Sequence, residues 1–136
     1  MRLNNVWRDS PQTYLGVLVE GFPNMLMVMG PHAGLGNFTR TAEYSVEWVT
    51  GLIRFATERG LRRIEATAAA VAEWTPRAGA RSGSADERDR LVDDGRQSQS
   101  PGQQKPRIMR YSGGHPAYRE HCDAVAADGY RKLALV

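Results

Sequence analysis

The stretch YLGVLVEGFPNMLMVMGPHAGLGN, residues 14–37, decides the fold. Its two apolar runs, TYLGVLV and NMLMVMG, are separated by EGFP, which has turn chemistry, so the pattern predicts two short strands. Near-continuous apolarity in the second run predicts a strand covered on both faces, as in an α/β sheet. A Gly-Pro pair, a glycine-rich turn and a helix follow, and this order aims backbone N–H groups at a ligand. A plain strand–helix connection gives the same pattern.

Three glycines of this turn favour contact with a ligand. Gly30, Gly34 and Gly36 would let the backbone approach a flat or anionic group closely. The next segment predicts a helix, with Thr39 or Thr41 as its N-cap. Its core-facing stripe would be Ala42, Val46, Val49, Ile53 and Ala56, widened by Tyr44, Trp48, Leu52 and Phe55.

Further elements alternate after a stop at Gly60. LRRIEA predicts a short strand, TAAAVAEWT a short helix anchored by Trp74, and PRIMRYSGG another strand. PAYREHCDAVAADGY predicts a third helix that ends at Gly129, and RKLALV a last strand. In the third helix Tyr118, Cys122 and the residues after it would share the buried face. The fold class is therefore α/β with few short strands and three helices.

Residues 76–104 differ from the rest of the chain. They are rich in Gly, Ser, Arg, Asp and Gln, and Leu91 and Val92 are their only sizeable apolar residues. Such a segment buries too little surface to offset its ordering entropy, so we expect it to be disordered. The chain then divides into residues 1–75, this segment, and a strand–helix–strand tail at residues 105–136.

Composition excludes several classes of protein. The net charge is only +3 and the basic residues are scattered, which argues against a nucleic-acid partner. One cysteine, Cys122, excludes an internal disulfide and is expected to be a small core residue. No metal-ligand spacing joins His32, His115 and His121, the last two of which we expect at the surface. No apolar run reaches the length of a membrane span and no signal peptide is visible, so we expect a cytoplasmic protein.

The full string is more specific than its spacing. The order YLG, GFPN, GP and L-x-N, followed by VEW, resembles the Baeyer–Villiger monooxygenases, a branch of the flavin-containing monooxygenases. The resemblance resumes in GLRRIEAT and AAVAEWT, and again from KPRIMRYSGG to the last residue, which is similar to the C-terminal end of that family. It implies the C-terminal portion of a flavoprotein with two dinucleotide-binding domains, incomplete here.

The resemblance implies both an activity and a site. Members of the family use FAD and NADPH to convert a ketone into an ester, or to oxygenate a heteroatom such as sulfur. Residues expected at the flavin are Gly30, Pro31, Leu35 and Asn37. Residues expected nearer the substrate pocket are His32, Ala33 and Phe38. An imidazole beside a flavin suits a general acid or base, but lining of the pocket is the alternative for His32.

Several parts of the family pattern are missing. The sequence contains no G-x-G-x-x-G and no F-x-G-x-x-x-H-x-x-x-W, and the family's active-site arginine lies in a part absent here. We therefore expect no catalytic residue in this chain and no stable cofactor binding by it alone. The GPHAGLGN turn is shorter than in phenylacetone- and cyclohexanone-type members and is more similar to the aryl-ketone group or to uncharacterised relatives.

Three interpretations of the chain remain open. It could be a fragment of the enzyme from a truncated gene or a pseudogene, or half of a split enzyme that pairs with a separate N-terminal half. It could also be a non-enzymatic binding module, or a small independent ligand-binding domain. A neighbouring reading frame with the dinucleotide-binding domains would favour the split enzyme, and a yellow purified chain would favour the independent domain.

A double frameshift would account for the unusual middle. Codons can be chosen for residues 83–100 whose frame, shifted by one base, reads GLLTSEIDSWMTGVNRN. This string is similar to the family's loop over the nicotinamide nucleotide. The hypothesis places one base change near residues 75–76 and a compensating one near residues 100–101, and a natural disordered insert is the alternative. The nucleotide sequence decides between them.

Overall fold

A computed structural model describes residues 1–34, 37–79 and 114–136. The predicted α/β class is confirmed in this part of the chain, with short strands and three helices longer than one turn. The elements in chain order are α1 (Leu3–Val6), α2 (Phe38–Glu58), β1 (Ile64–Ala66), α3 (Ala68–Gly79), α4 (His115–Ala127) and β2 (Leu133–Leu135). None of these helices is long and apolar enough to cross a membrane.

Strands β1 and β2 form an antiparallel pair in which Glu65 lies opposite Ala134. This pair confirms the strands predicted in LRRIEA and RKLALV. The other edge of β1 is covered by Asn24, whose N–H donates to the Ile64 carbonyl at 2.8 Å and whose Oδ1 accepts from the Ile64 N–H at 2.9 Å. Asn24 has φ +61°, a left-handed backbone that asparagine tolerates. The edge is therefore satisfied without a third strand.

The strands predicted in TYLGVLV and NMLMVMG are wrong. Leu15 and Gly16 have φ +57° and +69°, and the Val17 N–H donates to the Tyr14 carbonyl at 3.0 Å, which closes a tight turn with two left-handed residues. Glycine favours such a turn, and it breaks the first run in the middle. The second run is irregular: its Met27 N–H donates to the Val17 carbonyl at 2.8 Å, so it packs on the turn instead of joining a sheet.

Helix α2 begins earlier than predicted, and its buried face confirms the predicted Tyr44, Trp48, Leu52 and Ala56 but excludes Val46 and Ile53. Asn37, and neither Thr39 nor Thr41, is the N-cap: its side chain accepts from the Arg40 N–H at 3.1 Å. The predicted stripe is wrong at Val46 and Ile53, which are exposed, and Ala42 and Val49 are only partly buried. The buried face consists of Thr41, Tyr44, Ser45, Trp48, Leu52 and Ala56. Aromatic bulk decides the orientation, because Tyr44 and Trp48 bury more area than valines can.

The core lies where α2 packs on α4. The Trp48 indole donates to the Cys122 carbonyl at 2.8 Å, and the buried Tyr118 hydroxyl donates to the Leu15 carbonyl at 2.6 Å. The predicted buried face of α4 is confirmed by Tyr118 and Cys122, each 1% exposed. Trp74 anchors α3, as predicted, at 2% exposure. Tyr118 of α4 thus connects the C-terminal part of the chain to the turn at residues 14–18.

Two predictions fall wholly or partly outside the described residues. The strand in PRIMRYSGG lies there, and so does nearly all of the segment at residues 76–104. The exception is its first four residues, 76–79, which form the last turn of α3 with Pro76 inside the helix.

Candidate functional site

The Gly-Pro turn is packed tightly against the turn at residues 14–18. The Gly30 N–H donates to the Gly16 carbonyl at 3.1 Å, and a Cβ added at Gly30 would collide with that same carbonyl oxygen. A Cβ added at Gly16 would lie 2.5 Å from the Ala33 nitrogen, and one at Gly34 would lie 2.7 Å from the Tyr118 ring. The space that a side chain would occupy at Gly30 and Gly34 is thus filled by the chain itself. Close internal packing explains these two glycines, whereas Gly36 lies outside the described residues.

A buried hydrogen-bond chain runs from Thr13 to His32. The Thr13 hydroxyl donates its proton to the Pro31 carbonyl at 2.9 Å, and its oxygen lies 3.1 Å from His32 Nδ1. Because the hydroxyl proton is already used, the oxygen accepts from His32, which places a proton on Nδ1. Thr13 and His32 are 0% and 1% exposed, and His32 has φ +68°. This pair holds the turn in a backbone conformation that histidine rarely adopts.

The same arrangement recurs at the start of α2. The Thr41 hydroxyl donates to the Asn37 carbonyl at 3.0 Å and lies 3.2 Å from His115 Nδ1. The expectation that His115 lies at the surface is therefore wrong: its ring is half-buried and meets the Tyr44 ring edge-on, with centroids 6.0 Å apart. His121 is half-buried as well, with its ring centroid 5.5 Å from that of Trp74. The two threonine–histidine pairs are therefore hydrogen-bonded to the Gly-Pro turn near its two ends, one at Pro31 and the other at Asn37.

The predicted site residues separate into a buried group and an exposed group. His32 and Ala33 are 1% and 5% exposed, and Pro31 is half-buried above Thr13. Asn37 is exposed and its side chain caps α2, while Phe38 is 70% exposed. Gly30 lies at the base of the turn, and Leu35 lies outside the described residues. Among the described residues of the turn, Asn37 and Phe38 are thus exposed, whereas His32 and Ala33 are buried.

Titratable groups next to the turn serve packing. Burial raises the pKa of Tyr118, and burial together with a hydrogen bond to Asp123 raises the pKa of Tyr44. Burial also raises the pKa of the Cys122 thiol to about 12, so the thiol is neutral near pH 7 and is a poor nucleophile. This confirms Cys122 as a core residue. Among the described residues no three His, Cys, Asp or Glu side chains are placed to hold a metal ion.

Two N–H groups of the Gly-Pro turn are committed to hydrogen bonds within the chain. The N–H groups of Gly30 and Ala33 are used by the carbonyls of Gly16 and Gly30, so they cannot cradle a phosphate. At the start of α2 the Phe38 ring is exposed, while the Arg40 N–H is taken by the side chain of Asn37.

Comparison with known proteins gives the turn its context. No protein-family profile matches the chain. The cyclohexanone 1,2-monooxygenase of Acinetobacter sp is 36% identical over 55% of the chain and 14% of its own length. The 2-oxo-Δ3-4,5,5-trimethylcyclopentenylacetyl-CoA monooxygenase of Pseudomonas putida is 31% identical over 99% of the chain and 25% of its own length.

Solved structures give the same result over the whole chain. The cyclohexanone monooxygenase of Rhodococcus sp. Phi1, bound to NADP+, superposes with a TM-score of 0.83 at 33% identity, over 98% of this chain and 25% of that one. The chain is a homologue of one part of the Baeyer–Villiger flavoprotein monooxygenases. A complex of OTEMO with FAD and NADP superposes with a TM-score of 0.80 at 29% identity, over all of this chain and 25% of that one.

The coverage limits what this homology means. The chain spans between about a seventh and a quarter of the length of these monooxygenases. Cyclohexanone-type enzymes are among the similar proteins, and the preference for the aryl-ketone group, drawn from the short turn, stays a prediction.

Sequence reasoning missed the supports of the turn. Thr13 and Tyr118 fix it, yet they lie 19 and 86 positions from His32 in the sequence. No local pattern connects residues so far apart, and an alignment in which Thr13 and His32 change together is the signal that would have found them.

Proposed function

We propose that the chain is the part of an FAD- and NADPH-dependent Baeyer–Villiger monooxygenase that forms one wall of the flavin site. The observation that carries this proposal is the superposition over 98% of the chain with a TM-score of 0.83 at 33% identity. The reaction of the whole enzyme would convert a small ketone into an ester, or oxygenate a heteroatom such as sulfur. Reduced flavin would supply the activation of O2 in that reaction.

In this proposal the turn positions the flavin edge and contributes no reacting group. Gly30, Pro31, Leu35 and Asn37 would lie at the flavin. His32, Ala33 and Phe38 would face the substrate side. Of these three, only Phe38 is exposed in the chain, so it is the residue we expect to touch substrate directly. The burial of His32 and its hydrogen bond to Thr13 support a positioning role instead of proton transfer.

The chain alone should be inactive and should bind neither cofactor. Its partner would be the rest of the monooxygenase polypeptide, either continuous with it or a separate N-terminal half. A cytoplasmic location, the division at residues 75 and 104, and the frameshift in the middle segment stay predictions. Sequencing the flanking and internal nucleotides tests the last of these: a shifted frame that fails to encode the SW-containing peptide contradicts it.

A hybrid enzyme tests the proposed function. In this hybrid the chain replaces the matching quarter of the Rhodococcus cyclohexanone monooxygenase. We expect the purified hybrid to carry FAD. In a version that keeps the Rhodococcus sequence in place of residues 76–104, we also expect oxidation of NADPH in the presence of a ketone, with ester as the product. Bound flavin is measured by absorbance and the product by chromatography.

A control hybrid separates a poor junction from a wrong assignment. The matching quarter of OTEMO, inserted at the same junctions, should also give a flavoprotein. If this control binds FAD and the hybrid with our chain stays colourless, the chain does not form a wall of the flavin site.

The alternative of a small independent ligand-binding domain is tested with the isolated chain. FAD is added to the purified 136-residue chain and its fluorescence is followed. We expect no quenching, because the phosphate-binding motifs are absent from the sequence. Tight binding of FAD by the chain alone would favour a small independent ligand-binding domain over a portion of an enzyme.

A further inference from the structure

Helix α2 carries a second apolar stripe that faces away from the core. Phe38, Val46 and Ile53 are 70%, 50% and 46% exposed, and Ala42 lies between the first two. With 3.6 residues per turn, these four positions fall within about 80° of one another around the helix axis. They are therefore neighbours on one face, rotated away from the buried face that carries Trp48 and Leu52.

This outer stripe has the composition of an interface. Phe38, Ala42 and Val46 line a shallow groove whose other walls are Thr39, Glu43 and Glu47. An apolar strip with a polar border is the usual anatomy of a protein–protein contact. Single exposed apolar residues are ordinary, whereas several on one face of a helix form a strip that suits one part of a larger contact.

The geometry points to the rest of the monooxygenase polypeptide as the partner that covers the outer stripe, and this inference rests on the proposed function. A homologous piece of the same shape occupies only 25% of the Rhodococcus enzyme, so the larger part of such a protein lies outside the chain. Helix α2 starts directly after the Gly-Pro turn. Any polypeptide that completes a flavin site at this turn must approach the start of α2, so it comes to lie beside Ala42 and Val46, while Phe38 at the end of the stripe borders the substrate side.

A second copy of the chain is a poorer partner. The stripe runs over about 22 Å of helix and is about 10 Å wide, an area of about 220 Å². A stable dimer buries about 800 Å² on each partner. The stripe is thus too small for a dimer of its own, but it suffices as one part of the larger contact that a continuous polypeptide makes.

Substitutions on the outer stripe of the hybrid test the inference. Val46→Glu with Ile53→Glu should strip most of the bound flavin and lower the melting temperature of the hybrid by several degrees, because charges would be buried against the partner. Thr50→Glu with Arg54→Gln is the matched control: both residues are exposed on the polar side of α2, and the net charge changes equally. We expect the control to keep its flavin and its melting temperature.

Each other outcome overturns the inference in a distinguishable way. If both double variants keep flavin and melting temperature, the stripe is not covered by the rest of the polypeptide, while the proposed function stands. If the unsubstituted hybrid carries no flavin and the OTEMO control does, the proposed function and the inference fall together. Sedimentation of the isolated chain tests the remaining case. If the chain is a dimer that Val46→Glu with Ile53→Glu converts to a monomer, and the same substitutions leave the hybrid unchanged, the stripe is a contact between copies.

Discussion

At the scale of single residues, left-handed backbone conformations set the shape of the Gly-Pro turn and of the turn at residues 14–18 that packs on it. Leu15, Met29 and His32 have φ between +57° and +68° although none is glycine. Such conformations cost about 1–3 kcal/mol each and persist only where surrounding contacts over-determine them. The contacts are known for two of them: the Leu15 carbonyl accepts from Tyr118, and His32 pairs with Thr13. The turn is therefore held in its shape before any ligand arrives.

Gly30→Ala tests this close packing. The added methyl group would collide with the Gly16 carbonyl and press on Met27. We expect a loss of about 1–3 kcal/mol of stability, measured as a lower melting temperature and a weaker retention of flavin in the hybrid. Gly51→Ala is the control, since its Cβ would lie 3.5 Å from the Tyr130 hydroxyl and α2 gains helix propensity. Equal melting temperatures for the two variants would contradict the prediction.

At the scale of elements, the sequence predicts α2 and part of its buried face, but not that Val46 and Ile53 stay outside. Both apolar stripes of α2 fit a helical period, and the core could take either. The structure buries the stripe with Tyr44 and Trp48, because the Trp48 indole finds the Cys122 carbonyl on α4 and the Tyr44 hydroxyl finds Asp123 at 2.6 Å. The valine stripe is left outside. The hydrogen-bond partners of Trp48 and Tyr44 lie on α4, some 70 positions away in the sequence. A local pattern therefore cannot predict which face of α2 is buried.

Leu52→Ala tests the buried face. Leu52 is 0% exposed between α2 and the rest of the core, so its truncation leaves a cavity. We expect a loss of about 2–5 kcal/mol, measured by thermal unfolding of the hybrid. Thr50→Ala, at an exposed position two residues earlier, should change stability by less than about 0.5 kcal/mol. A Leu52→Ala variant as stable as Thr50→Ala would mean that the face is assigned wrongly.

The junction of β1 with the loop before it should be sensitive to acid. Hydrogen bonds from Arg63 and from the Gly21 N–H, the latter 2.8 Å long, lower the pKa of Glu65. A carboxyl whose pKa is lower when folded stabilises the protein above its unfolded pKa of about 4.3. That stabilisation is lost as the pH falls through the lower, folded pKa.

Glu65→Gln removes this acid-sensitive contribution. In the hybrid we expect the variant to be less stable than the parent at neutral pH and the difference to shrink as the pH drops below about 4.3. Urea unfolding at a series of pH values measures it. Glu58→Gln, at an exposed position at the end of α2, is the control and should follow the parent at every pH. A Glu65→Gln variant that follows the parent as closely would show that the hydrogen bonds of Glu65 contribute nothing.

At the scale of the whole molecule, the sequence predicts the class and family better than the path of the chain. Helix α4 and both strands of the sheet follow local periods and are confirmed. The two apolar runs before the Gly-Pro turn were predicted as strands because they are apolar and short. The left-handed pair at Leu15 and Gly16 and the edge filled by Asn24 prevent this, and both depend on contacts with distant parts of the chain.

The isolated chain should therefore behave poorly in solution. Apolar side chains remain at the surface on two sides: the outer stripe of α2, and the irregular run in which Val28 is 47% exposed and Met25, Leu26 and Met27 are half-buried. Without the polypeptide that we propose covers them, these surfaces favour aggregation. We expect low solubility and a broad thermal transition for the purified chain, measured by sedimentation and circular dichroism.

A double substitution in the isolated chain shows whether exposed apolar surface or misfolding causes the low solubility. Val46→Ser with Ile53→Ser removes apolar surface but no buried contact, so it should raise the soluble yield of the isolated chain while lowering the flavin content of the hybrid. A misfolded chain would gain nothing from these exposed changes. A sharp, cooperative transition from an unsubstituted monomer would contradict the prediction, because it would mean that the surfaces are compatible with water and that the chain is stable without a partner.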